Sequence, residues 1–177
     1  NGNRMAAPKT NSYALIQAKP FSPNLGAEVY GVDLRKTIPD AQFSEILDAF
    51  LKYQVLFFKN QKEIPPEQHV IFGKRFGPLH AHPAAPTMEG HPEIFEIHAT
   101  KDSKVANGEF WHSDVSCDDT PPLGTMLQIH IAPPYGGDTM FSNMEVAYDD
   151  LSDPMKKMLG GLTALHSSEH IYKGRYS

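Results

Sequence analysis

Cysteine is almost absent from this 177-residue chain: Cys117 stands alone, which excludes an internal disulfide and a cysteine-based zinc site. Long apolar runs are missing too. None approaches the roughly 20 residues that a membrane-spanning helix needs, and no signal-peptide core is evident, so no membrane partner is expected. Basic clusters are also lacking. Sixteen Lys and Arg face twenty-one Asp and Glu, for a net charge of −5. Nucleic acid is recognised by concentrated basic faces, so it is not an expected partner either. What is present is 40% hydrophobic and 21% charged, the balance of a folded globular chain. A cytoplasmic protein that forms a homo-oligomer is the expectation.

Residues 1–11 are polar and aperiodic, and read as a flexible tail or cloning remnant with Met5 as the native start. Residues 12–177 show no repeat and no linker, and their length fits one domain of about 150 residues. Strands are expected at 13–18, 27–32 and 54–59, the last buried on both faces. Between the last two, Asp40 is expected to cap a helix with Phe43, Ile46, Leu47, Phe50 and Leu51 on one side. A second helix should open at Pro65–Pro66 and stop at Gly77–Pro78. Further strands are expected at 93–98, 109–115, 125–131 and 138–142, then helices at 143–151 and 152–159, and a last strand at 162–166. The class is mainly β with added helices (α+β).

Five of the nine histidines, His80, His82, His91, His98 and His112, fall within 33 residues. Clustered imidazoles point to metal or acid–base chemistry. Trp111-His112-Ser113-Asp114 contains a His and an Asp two apart, and on an extended chain such residues project from one face and reach one ion. One imidazole and one carboxylate are two of the three ligands that hold non-haem Fe(II) with positions left open. The spacing alone is weak, because chance supplies it in a chain this rich in histidine and acid; His91-Pro92-Glu93 is a second instance.

The surrounding sequence is more specific. Phe110-Trp-His-Ser-Asp-Val-Ser, Asp119-Thr-Pro-Pro-Leu-Gly-Thr-Met-Leu and Gly136-Gly-Asp-Thr-Met-Phe resemble the taurine dioxygenase (TauD/TfdA) family of Fe(II)- and 2-oxoglutarate-dependent dioxygenases. Leu25-Gly-Ala-Glu-Val-Tyr-Gly-Val-Asp-Leu, Arg75-Phe-Gly-Pro-Leu-His-Ala-His-Pro, Ala147-Tyr-Asp-Asp-Leu-Ser and Gly161-Leu-Thr-Ala-Leu-His extend the resemblance over about residues 20–177 in the family's order. It implies a double-stranded β-helix (jelly-roll, cupin-like) core. It implies an enzyme that hydroxylates a small anionic organic substrate, using Fe(II), O2 and 2-oxoglutarate and releasing succinate and CO2.

Residue by residue, the resemblance makes His112 and Asp114 iron ligands, through which they are catalytic. Thr139 becomes the hydroxyl that holds the distal carboxylate of 2-oxoglutarate, and His82 the contact to the substrate's anionic group. Taurine-specific members carry a tyrosine where this chain has Ala85, and an asparagine where it has Gly108. Without those two donors, a sulfonate, sulfate ester or aryloxyalkanoate other than taurine is the expected substrate. The family's distal iron histidine and oxoglutarate-binding arginine have no match here. His166 and His170 come too early, and Arg175 lies ahead of the family's later strands, so the C-terminal part is expected to be missing and this stretch alone not to complete its site. The residues by themselves also allow a zinc hydrolase built on His80, His82, His112 and Asp114, or a non-catalytic jelly-roll binding module.

Overall fold

The computed structural model describes residues 12–81, 86–100, 102–103, 108 and 110–169. They form two compact units. One comprises the described residues of Asn1–Ile64 and Ile129–Leu162, the other those of Pro65–Gln128 and Thr163–Ser177. Each unit draws on two separate stretches of chain, so the boundary is not a single linker of the kind sequence could reveal.

In the first unit, strand β1 (Gln17–Pro20) pairs antiparallel with β2 (Ala27–Tyr30), register Gln17 to Tyr30. Strand β3 (Leu56–Phe58) joins β2 on its other side in parallel, register Ala27 to Leu56. As the central strand, β2 buries Ala27 and Val29 completely. Pro20 is tolerated because β1 is an edge strand and can lack a donor. Gly26, just before β2, has φ +84°, and a Cβ there would stand 3.2 Å from the Phe57 ring, so both conformation and space require glycine.

Helix α1 (Asp40–Tyr53) provides the crossover to β3, burying Phe43, Ile46, Ala49 and Tyr53. Asp40 is its first residue rather than its cap. Pro39 occupies the cap position, and the Asp40 charge sits at the positive end of the helix dipole. Leu51, expected on the apolar stripe, points to solvent. β3 is half-buried, not buried on both faces. Glu45 ties the chain entering β1 to α1, accepting the N–H groups of Ala14, Leu15 and Ile16 at 2.8, 2.8 and 3.0 Å. Burial pushes the Glu45 carboxyl up, but these three donors outweigh it and hold the group below its usual range.

Two short helices complete this unit, α3 (Met144–Asp149) and α4 (Asp153–Leu159). Asn143 caps α3, its side-chain oxygen accepting from the N–H groups of Glu145 and Val146 at 3.0 and 3.1 Å.

In the second unit, α2 (Pro66–Lys74) packs on a hairpin of β4 (Thr87–Met88) and β5 (His91–Phe95). Phe72 is buried and meets Phe76 edge-to-face at 5.3 Å.

Sheets and helices are both present, as an α+β class requires, but helical residues outnumber strand residues among the described ones. The expected strands at 109–115, 125–131, 138–142 and 162–166 do not form there. A strand exists only where its N–H and C=O groups meet a ladder partner, and among the described residues these stretches meet none. Leu127, Ile129 and Ile131 keep the two-residue period but are 61, 65 and 83% exposed. No described helix is long and apolar enough to cross a membrane.

Candidate functional site

The sequence places His112 and Asp114 on an extended segment, and the second unit brings their side chains together: His112 Nε2 lies 3.2 Å from Asp114 Oδ1, both half-exposed. The other ring nitrogen, Nδ1, lies 2.7 Å from the carbonyl oxygen of Phe110. A carbonyl can only accept, so Nδ1 carries a proton, and Nε2 is the nitrogen turned toward the carboxylate. The far oxygen, Asp114 Oδ2, accepts the Thr125 hydroxyl at 2.7 Å.

The chain leaves the motif by a tight turn in which Asp118 N–H bonds to the Val115 carbonyl at 3.1 Å. Val115 holds φ +50°, an unfavourable conformation for a β-branched residue. Two histidines bind this turn. His80 Nε2 is 3.1 Å from Asp118 Oδ2, and His166 Nδ1 is 2.9 Å from Ser116 Oγ.

The donor set suits a divalent transition metal. Imidazole and carboxylate ligands bonded at about 2.1 Å to adjacent corners of an octahedral ion lie about 3 Å apart, close to the observed separation. The proton on Nδ1, bound to a carbonyl, is the outer-shell arrangement that metal-ligating histidines adopt. Among the described residues no third His, Cys, Asp or Glu joins the pair.

The other clustered histidines go elsewhere. His91 opens β5 and pairs at 3.6 Å with Glu67 of α2, so the second His-x-acid spacing belongs to packing. His80 is engaged with Asp118, not gathered with His112 and Asp114 as a zinc hydrolase would need. His98 lies on an exposed loop. His82 and Ala85 lie outside the described residues. Trp111, beside the pair, is 67% exposed.

Thr139 belongs to the first unit, on an exposed segment that follows the consecutive left-handed glycines Gly136 (φ +73°) and Gly137 (φ +72°). Contacts just beyond it anchor the segment. Phe141 stacks edge-on to Phe57 at 6.2 Å, the Asn143 amide donates to the Asn24 carbonyl at 2.7 Å, and the Gln54 amide donates to Glu145 at 2.9 Å. Sequence reasoning missed Thr125, Ser116 and Asp118. Their partners stand up to 50 residues away, and no spacing rule signals them.

The model of the taurine catabolism dioxygenase TauD, TfdA family matches residues 17–176, and the chain belongs to this family. Among characterised relatives, it is 35% identical over 159 residues to an alkylsulfatase of Acinetobacter baylyi, covering 90% of this chain and 49% of that protein. An alpha-ketoglutarate-dependent sulfate ester dioxygenase of Pseudomonas putida is 31% identical over 168 residues, covering 94% and 55%. The crystal structure of a taurine dioxygenase from Burkholderia xenovorans superposes with a TM-score of 0.67 at 36% identity, covering 83% of this chain and 51% of that one. The chain thus spans about half the length of the relatives it matches.

Proposed function

We propose that this chain is the N-terminal portion of a single-domain Fe(II)- and 2-oxoglutarate-dependent dioxygenase that hydroxylates a small anionic organic substrate. The observation that carries the reading is the convergence of His112 Nε2 and Asp114 Oδ1 at 3.2 Å, with the ring tautomer set by the Phe110 carbonyl. When bound, Fe(II) supplies the oxidative chemistry by which 2-oxoglutarate, O2 and substrate become succinate, CO2 and hydroxylated substrate. The protein's task is binding, orientation and exclusion of water.

In this reading His112 donates a neutral nitrogen to the metal, and Asp114 supplies a bond and one compensating negative charge. The Thr139 hydroxyl donates to the distal carboxylate of 2-oxoglutarate, a charge-assisted hydrogen bond. His82 meets the substrate's anionic head. A jelly-roll core fits the alternating apolar residues Leu127, Ile129 and Ile131, which stand exposed and suit a pairing and packing partner. The enzyme is proposed to be cytoplasmic and homo-oligomeric.

Substrate choice follows from what is absent around the pair. A Cβ built on Gly108 would reach only to 4.0 Å from His112 Cε1, so a longer side chain there would project toward the metal ligand, and glycine leaves that space open. With Ala85 also short, an alkyl sulfate, bulkier sulfonate or aryloxy acid is favoured over taurine. Each buried methylene contributes about 0.8 kcal/mol.

The test uses the protein expressed from its complete reading frame and a panel of sulfate esters, sulfonates and aryloxy acids, scored by succinate formation. Asp114→Ala is expected to reduce every activity to background while leaving the circular dichroism spectrum unchanged. Retained turnover with bound iron would overturn the ligand assignment, and taurine as the best substrate would overturn the substrate reading.

A further inference from the structure

We infer that Thr125 is a positioning residue for the metal: it fixes which oxygen of Asp114 is offered to the ion. Asp114 has two chemically equivalent oxygens, and the structure treats them differently. Oδ1 faces His112 Nε2 at 3.2 Å, while Oδ2 accepts the Thr125 hydroxyl at 2.7 Å. A carboxylate with a donor on one oxygen is held about its Cβ–Cγ bond, and the other oxygen is left for one-point coordination. The two ligands then receive matching outer contacts: the Phe110 carbonyl orients the imidazole, and the Thr125 hydroxyl orients the carboxylate.

Without the hydroxyl, the carboxylate is free to rotate. It can then offer both oxygens to the ion or turn further toward the imidazole, and either outcome spoils the open geometry that the two side chains present. At a half-exposed site this matters more, because water competes for the same oxygens and packing does not immobilise them.

The inference rests on the proposed metal centre, and the experiment separates the two. Mn(II) is titrated calorimetrically, without substrate, into the complete protein and its Thr125→Val and Thr125→Ser variants. Valine keeps the shape and deletes the donor, so Mn(II) affinity should fall about 10- to 100-fold. Serine keeps the donor and should bind within about twofold of the parent. The melting temperature of metal-free Thr125→Val should stay near that of the parent, because the contact is exposed. Parent-like affinity in Thr125→Val overturns the inference and leaves the metal centre standing. Failure of the parent to bind Mn(II) overturns both. If the valine variant does not fold, Thr125→Ala takes its place in the same titration: a loss of about tenfold or more supports the inference, and parent-like affinity overturns it.

Discussion

Residues 16–64 and residues 110–165 contain apolar side chains of the same kinds but treat them oppositely. In the first stretch Val29, Ile46, Ala27 and Ala49 have no exposed surface, and eleven of the twelve buried apolar residues of the described chain lie there. In the second, Phe110, Trp111, Leu127, Ile129, Ile131 and Leu165 all stand more than half exposed, and no residue is buried. The difference is not composition but partners. The first stretch carries three strands and a helix that complete each other within about fifty residues. Hydrogen bonds, turns and caps shape the second, which holds the candidate ligands. A segment that carries candidate ligands can thus be ordered locally by polar contacts without burying an apolar residue of its own.

The largest effect on stability should come from the packed side. Ile46→Ala removes a fully buried side chain from α1 and should cost about 2–5 kcal/mol in a denaturant titration of the complete protein, with Mn(II) affinity unchanged. A loss below about 1 kcal/mol would show that the core is not where the comparison puts it.

Thr139→Val acts on the other side. It should weaken 2-oxoglutarate binding by about 1.5–3 kcal/mol, the value of a hydrogen bond to a charged acceptor, and leave the melting temperature unchanged. An unchanged Michaelis constant for 2-oxoglutarate would remove Thr139 from the ligand set.

The smallest effect bears on the join between polar and packed order. Asn143→Ala deletes the α3 cap together with the bond to the Asn24 carbonyl, and should cost about 1 kcal/mol. A cost near zero in the same titration would mean that this polar scaffold adds nothing to the packed region it touches.

Much of this was legible in the sequence, and the failures have physical causes. The spacing of Phe43, Ile46 and Phe50 announced α1, because helical neighbours are three and four residues apart wherever the helix sits. Leu51 broke the pattern because only packing decides where an apolar stripe ends. Asn143 and Ser152 stand at the N-cap positions of α3 and α4; the Asn143 side chain wins the local contest for unpaired N–H groups, while Ser152 holds its place with no side-chain capping bond. The strands expected between 109 and 166 failed for the opposite reason. Alternation signals a face, but a ladder needs a second chain segment, and the described residues hold none for them.

The sequence by itself determined what depends on near neighbours: the absence of disulfides, the positions of the helices, the left-handed turn at Gly136–Gly137, and a histidine and aspartate able to face the same way. Tertiary structure decided which of two identical spacings brings its two side chains together. His91 was drawn to Glu67 across α2 and β5, while His112 was oriented by Phe110 and left facing Asp114. It also decided, through Thr125, which carboxylate oxygen remains available. Spacing along a chain sets the direction of a side chain relative to its neighbours. The atom it finally meets is set by residues brought from elsewhere, and no local pattern encodes their arrival.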